Sequence, residues 1–137
     1  MRPIDGMNAN ERRIKKARWQ ERRNGKHGAE LRKNIRHLGR SLLRAYNDDW
    51  IEKLRMLEGL GDQVANHPDF KELKRRIARM DEILKTFNDE ELEIIELFHW
   101  GGMDYYEVAA SLNMSNQTFY RHTWAIEETV GSKWQGL

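Results

Sequence analysis

Several side chains near the C-terminus have the chemistry needed to read the edges of DNA base pairs. Asn116 and Gln117 carry amides, which can form paired hydrogen bonds with adenine, and Arg121 carries a guanidinium that can pair in the same way with guanine. Their spacing, together with that of Tyr120 and Trp124, places all five on the outer face of one helix. The pattern therefore predicts a surface that can enter a major groove.

A helix beginning just after Ser115 would present this face, because serine is a favoured N-cap residue. Backbone amides near Ser115 and Asn116 could also hold a phosphate. The predicted inner face consists of Phe119, His122, Ile126 and Val130. The candidate residues for DNA contact are Ser115, Asn116, Gln117, Thr118, Tyr120, Arg121 and Trp124.

A short preceding helix is predicted from an apolar face formed by Tyr105, Val108, Ala109 and Leu112. Ala109 is small enough for a close helix crossing, and Asn113 tolerates the left-handed backbone that a tight turn requires. Met114 would fill the space between the two helices. These offsets predict a helix-turn-helix from Asp104 to Glu127. The alternative is a structural helix pair whose polar face only contacts water.

A second cationic feature lies in the N-terminal third of the chain. Between Ala29 and Tyr46, leucine and isoleucine recur at helical spacing, and an adjacent stripe carries an arginine at every fourth residue. We treat these arginines as candidate phosphate contacts: Arg32, Arg36, Arg40 and Arg44. The alternative is that they only solvate the outer face of the helix.

The charges of the chain are distributed unevenly. The net charge of +2 combines a net charge of +10 over residues 1–47 with one of −8 over residues 48–137. A basic N-terminal third beside an acidic remainder favours binding of a polyanion by the first part. The alternative is a solvated basic tail.

The remaining helices follow from capping signals. A second helix is predicted to start at Asn47, Asp48 and Asp49, which can cap it. A third helix is predicted to start at Pro68, which would lie in its first turn. Asn88 begins a variant capping box, and Gly101-Gly102 ends the helix that follows.

We therefore expect an all-α fold with three parts. These are a basic flexible arm over residues 1–28, a helical region over residues 29–86, and a helix-turn-helix DNA-binding domain over residues 87–137. The helical region would contain a basic helix followed by a helical hairpin.

The composition argues against an enzyme or a metal protein. Cysteine is absent, the five histidines are scattered, and no glycine-rich phosphate loop occurs. The carboxylate pairs Asp48-Asp49 and Glu127-Glu128 have simpler capping and surface interpretations. We predict no catalytic residue, no metal site and no cofactor. No apolar run suggests a signal peptide or a membrane span, so we expect a cytoplasmic protein.

The stretch from Phe87 to Val130 resembles region 4 of the sigma-70 family in its acidic capped helix, glycine-containing connection and C-terminal motif. With the upstream hairpin, the chain is similar to small phage-encoded regulators of the ArpU and RinA type. That resemblance implies promoter binding through Asn116, Gln117, Tyr120 and Arg121. It also implies activation of late genes with RNA polymerase in a bacterial host cell. Asn113 and His122 depart from the commonest residues of the motif.

Other functions fit the same features. A small terminase subunit or a replication initiator also binds double-stranded DNA through a helix-turn-helix. A module that resembles region 4 but binds a protein is a further alternative. The apolar seven-residue repeat of the third helix could also form a homodimer seam. That repeat comprises Phe70, Leu73, Ile77, Met80 and Leu84.

Overall fold

The computed structural model describes residues 8–23 and 28–137, and within these ranges it contains helices and no strand. The helices are α1 (Ala9–Arg23), α2 (Gly28–Ala45), α3 (Ile51–Glu58), α4 (Pro68–Leu84), α5 (Asp89–Ile94), α6 (Tyr105–Ser111) and α7 (Asn116–Trp134). A π-helical turn over Tyr46–Trp50 joins α2 to α3, a second over Ile95–Trp100 extends α5, and a 3₁₀ turn over Gly61–Gln63 follows α3. The predicted all-α class is confirmed for these residues. None of the described helices combines the length and apolarity needed to cross a membrane.

Local capping signals determine where α4 and α5 begin. Pro68 is the first residue of α4, where its missing N–H leaves no hydrogen bond unmade. Asn88 Oδ1 accepts a hydrogen bond from the Glu91 backbone N–H at 2.8 Å. Glu91 Oε1 accepts one in return from the Asn88 backbone N–H at 3.0 Å. The predicted capping box is therefore confirmed.

The predicted helix start at Asn47, Asp48 and Asp49 is wrong. The helical backbone continues from α2 into α3, and the Ile51 N–H donates to the Tyr46 carbonyl oxygen across one wide turn. This extra residue turns aromatic side chains toward the core. Trp50 is only 6% exposed, and the Tyr46 hydroxyl donates to Asp81 Oδ1 at 2.6 Å. Burial of these rings outweighs the capping preference of the polar triplet.

One hydrophobic core unites helices from both halves of the described chain. The seam predicted on α4 is buried at Phe70, Leu73, Ile77 and Met80, whereas Ile83 rather than Leu84 occupies the last buried position. The other buried apolar residues of the core are Leu43, Trp50, Phe87, Ile94, Ile95, Val108, Ala109, Phe119, Ile126 and Val130. α3 packs against α4. The core contains residues from both sides of the predicted domain boundary after residue 86. That the chain divides into domains there remains a prediction.

The predicted basic arm contains a helix. Asn8 Oδ1 accepts a hydrogen bond from the Glu11 backbone N–H at 2.8 Å, which caps the start of α1. Lys15 Nζ lies 3.5 Å from Gln135 Oε1, so α1 also reaches the C-terminal segment. Residues 1–7 and 24–27 of the arm lie outside the described residues. That the arm is flexible remains a prediction.

α2 and α7 share the largest helix–helix contact of the described residues, and a glycine on each helix makes it close. A Cβ atom built on Gly39 would overlap the backbone carbonyl oxygen of Glu127. One built on Gly131 would overlap the carbonyl oxygen of Ile35. The two backbones are thus in direct contact at this crossing, which only glycine permits.

We expect Gly39→Ala to destabilise the protein, because the added methyl group can be accommodated only if α2 and α7 separate. The cost should be at least about 1–3 kcal/mol in the free energy of unfolding. Urea unfolding followed by circular dichroism measures it.

The matched control is Gly59→Ala, at the exposed C-cap of α3, where the backbone is right-handed and the nearest atom to a new Cβ is 3.4 Å away. It should change the stability little, or raise it by up to about 1 kcal/mol by restricting the unfolded chain. Equal unfolding midpoints for the two variants would contradict the close crossing.

Candidate nucleic-acid interface

The connection between α6 and α7 adopts the backbone that the sequence predicts. Asn113 has a φ of 56°, the left-handed region, and is the one non-glycine residue with a positive φ among the described residues. Met114 packs against the core next to it. Ser115 then caps α7, since its Oγ accepts a hydrogen bond from the Thr118 backbone N–H at 3.1 Å. The turn therefore places α7 directly after α6 with both ends of the connection fixed.

The inner face of α7 is buried almost as predicted. Phe119, Ile126 and Val130 have no exposed surface. Thr123, at 2% exposure, occupies the position that the pattern assigned to His122. His122 is half-buried, and its Nε2 lies 3.8 Å from Glu90 Oε1. Burial of this face fixes the rotation of α7 and so determines which residues face outward.

The outer face of α7 presents most of the candidate DNA-contacting residues. Asn116, Gln117 and Arg121 are exposed polar residues. Tyr120 and Trp124 are 36% and 45% exposed. Ser115 is exposed but its hydroxyl is used in the cap, and Thr118 is half-buried. The structure thus brings together a donor and acceptor surface at the beginning of α7.

An aromatic row lies beside this surface, formed by Tyr106, Tyr105, Tyr120 and Trp124. The ring centroids of successive members are 4.0, 4.9 and 5.8 Å apart. Hydrogen bonding with the Tyr106 and Tyr120 hydroxyls raises the pKa of Tyr105 above its ordinary value. The Tyr105 hydroxyl therefore remains neutral at physiological pH. Tyr106 was not a candidate, although two consecutive tyrosines at a helix start cannot both face inward.

The arginine stripe of α2 is divided by the structure. Arg40 is paired with Glu127, because its Nε and Nη2 donate to Glu127 Oε2 and Oε1 at 2.7 and 3.2 Å. That it contacts a phosphate remains a prediction. Arg36 lies over the indole of Trp124 with its guanidinium carbon 4.9 Å from the ring centroid. Arg44 is exposed and Arg32 is half-buried.

The surface interpretation of Glu127 is also wrong, since its side chain has no exposed surface. Besides the two bonds from Arg40, its Oε2 lies 2.9 Å from His99 Nε2. Burial would raise the pKa of Glu127, but hydrogen bonding and electrostatic attraction from His99 and Arg40 outweigh it and lower the pKa below its ordinary value. The carboxylate is therefore ionised and ties α2 and the turn after α5 to α7.

Sequence reasoning missed this cluster because polar residues are usually assigned to the surface. One signal was present. Residue 127 lies between the apolar positions Ile126 and Val130, four residues after Thr123 and four before Gly131, on the face that meets α2. His99 lies between buried and half-buried neighbours in the same way. A carboxylate at such a position requires partners, and an arginine every fourth residue on another helix supplies one.

The described residues contain no grouping of three or more His, Asp or Glu side chains able to hold a metal ion. A groove of about 520 Å³ has α4 on one side. Its other side is formed by α3 and by the π-helical turn before α3. Trp50, Leu57 and Phe70 are among the residues that line it. None of the DNA-contact candidates lines it. The polar face of α7 is therefore the feature that most constrains the function.

Acid should remove the stabilisation that the Glu127 carboxylate provides. Its folded-state pKa lies below the unfolded value of about 4.3, so the contribution is complete above that value and is lost as the pH falls through the folded-state pKa. At pH 7, Glu127→Gln should cost toward the lower end of about 3–5 kcal/mol, because Arg40 can turn toward water. Urea unfolding at several pH values measures both effects.

Wild type and Glu127→Gln should approach each other in stability below about pH 4. Glu93→Gln, the same change at an exposed position of α5, should stay within about 0.5 kcal/mol of wild type near neutral pH. A difference between wild type and Glu127→Gln that does not change from neutral to acidic pH would contradict the assignment.

No family model, no curated protein and no solved structure matches the chain. Its function must therefore be argued from its own residues.

Proposed function

We propose that the chain is a sequence-specific regulator of transcription that binds double-stranded DNA through α6 and α7 as a helix-turn-helix. The observation that carries this proposal is the exposed face at the beginning of α7, where Asn116, Gln117 and Arg121 lie together. The opposite face of the same helix is buried at Phe119 and Ile126. A helix with one fixed inner face and an outer face of amides and a guanidinium suits direct readout of bases.

In this mechanism α7 lies in the major groove, which is about 12 Å wide. The amides of Asn116 and Gln117 each pair with an adenine, and the guanidinium of Arg121 pairs with a guanine. The hydroxyl of Ser115 is already bonded within the cap, so this residue would contribute its backbone amide to a phosphate. The tyrosine hydroxyls of the aromatic row would donate hydrogen bonds to phosphates of the DNA backbone.

The charge distribution supports a defined orientation on DNA. α2 brings Arg36 to the side of the molecule where it packs against α7. α5 carries the exposed carboxylates Asp89, Glu90 and Glu93, which would repel phosphates. We therefore assign α2 to the DNA side and the acidic surface of α5 to a protein partner. RNA polymerase is the partner that the resemblance to region 4 of the sigma-70 family suggests.

The biological setting that we propose follows from that resemblance. Regulators of the ArpU and RinA type act in phage-infected bacterial cells and activate late genes. The same role for this chain places it in the host cytoplasm, acting on promoter DNA. No cofactor and no catalytic step enter this mechanism.

Selection of duplexes from a fragmented source genome by the purified protein tests the proposal. We expect one short motif to be enriched upstream of an operon. Arg121→Ala should weaken binding to that motif by about 1–3 kcal/mol and relax the preference at one base pair. Competition binding with all single-base variants of the motif measures both effects.

Arg55→Ala serves as the control, since it removes one exposed positive charge from α3 and leaves α7 unchanged. It should leave the base preference intact. Uniform, salt-sensitive recovery of all fragments would overturn sequence-specific regulation. Unchanged base preference in Arg121→Ala would overturn the assignment of the reading face.

A second candidate function is a protein-binding module. It is favoured by the exposed rings of the aromatic row, because tyrosine and tryptophan are enriched at protein interfaces. Tyr106→Ala distinguishes the two candidates. It should reduce DNA affinity modestly if its hydroxyl contacts a phosphate, and it should leave DNA binding unchanged if the row serves a protein partner.

A further inference from the structure

Arg36 and Trp124 form a contact between α2 and α7 that the separate sequence patterns did not connect. The guanidinium carbon of Arg36 lies 4.9 Å from the centroid of the Trp124 ring, within the range of a cation–π interaction. Trp124 is 45% exposed, and Arg36 is half-buried. The pair is thus accessible while its geometry is restrained by two packed helices.

The hydrogen-bonding capacity of Arg36 is not used within the part of the chain that the structure describes. No carboxylate there lies within ion-pair distance of it, in contrast to Arg40 one turn later, which is bound to Glu127. A cation–π contact uses the positive charge of the guanidinium and leaves N–H groups available to a second partner. Those N–H groups match the oxygens of a phosphate, which they can contact in pairs.

The surroundings of the pair favour an anionic ligand. Arg121 lies one turn before Trp124 on α7 and adds an exposed positive charge beside the pair. The nearest carboxylates on α7 are those of Glu127, which Arg40 neutralises, and Glu128, which is half-buried and already engaged. The positive charge of Arg36 is therefore not cancelled by its neighbours.

The position of the pair along α7 fits the edge of a major groove. Seven residues separate Gln117 from Trp124, a distance of about 10 Å at the helical rise of about 1.5 Å per residue. A groove about 12 Å wide would then hold the reading residues between its walls and bring the pair to one rim. The backbone phosphates lie at that rim.

We propose that Arg36, held by the ring of Trp124, is a preassembled clamp for one backbone phosphate of the bound duplex. This inference rests on the proposed DNA-binding function and adds to it separate roles for Arg36 and Trp124. Trp124 is a positioning residue that orients the guanidinium and reads no base. Arg36 anchors the DNA strand through one phosphate and contributes equally to binding of any sequence.

Four variants test the clamp: Arg36→Ala, Trp124→Ala, the double variant, and Trp124→Phe. Their dissociation constants are measured from low to high salt on a duplex with the selected motif and on one of unrelated sequence. Arg36→Ala should weaken binding to both duplexes by similar factors. It should also reduce the slope of log K against log salt by about 0.9, the contribution of one phosphate contact.

Trp124→Ala should weaken binding about two- to fivefold without changing base preference, because the guanidinium loses its platform but keeps its charge. Trp124→Phe, which retains an aromatic face, should stay within about twofold of wild type. The double variant should bind no more weakly than Arg36→Ala alone. Circular dichroism of each variant verifies that the helices are intact.

Arg55→Ala is again the matched charge control. A salt slope for Arg36→Ala equal to that of Arg55→Ala would overturn the clamp while leaving the proposed function intact. A changed base preference in Trp124→Ala, or additive losses in the double variant, would also overturn it. Failure of the wild type to bind any duplex would overturn the proposed function and the clamp together.

Discussion

The fold depends on one crossing, where α2 lies directly against α7. Gly39 lets the backbones meet, and the next residue along the chain, Arg40, binds the carboxylate of Glu127 on the helix it meets. Shape and charge are therefore satisfied by adjacent residues. Because Glu127 also contacts His99 at 2.9 Å, the same carboxylate joins the turn after α5 to the crossing. An unpartnered carboxylate in this position would be strongly destabilising, so the helices are joined in one arrangement.

This arrangement explains how the basic helix α2 can determine the orientation of the polar outer face of α7. α2 packs along α7 at Gly39 and Gly131, and its Arg36 reaches the edge of the outer face of α7 at Trp124. The rotation of α7 is fixed by Phe119 and Ile126 in the core and by Glu127 at the crossing. Any displacement of α2 is consequently transmitted to the outer face of α7.

Local features of this fold were predictable from the sequence, and pairings between distant segments were not. The cap at Asn88, the left-handed turn at Asn113 and the cap at Ser115 each depend on a few neighbouring residues, and all three are confirmed. Glu127 could not be assigned, because its burial depends on an arginine 87 residues earlier in the chain. The stripe of arginines likewise did not indicate which of them would pair with Glu127.

The π-helical turn between α2 and α3 has a consequence for how the chain can vary in length. Tyr46–Trp50 contains one residue more than a regular helical turn accommodates, and this surplus brings Trp50 into the core. One residue added to a regular helix would rotate every later residue by about 100° around the axis, and the wide turn absorbs that rotation locally. α3 therefore keeps its apolar side toward α4 although the helix contains the extra residue. The chain should tolerate a change of length by one residue at this turn more readily than elsewhere in the helix.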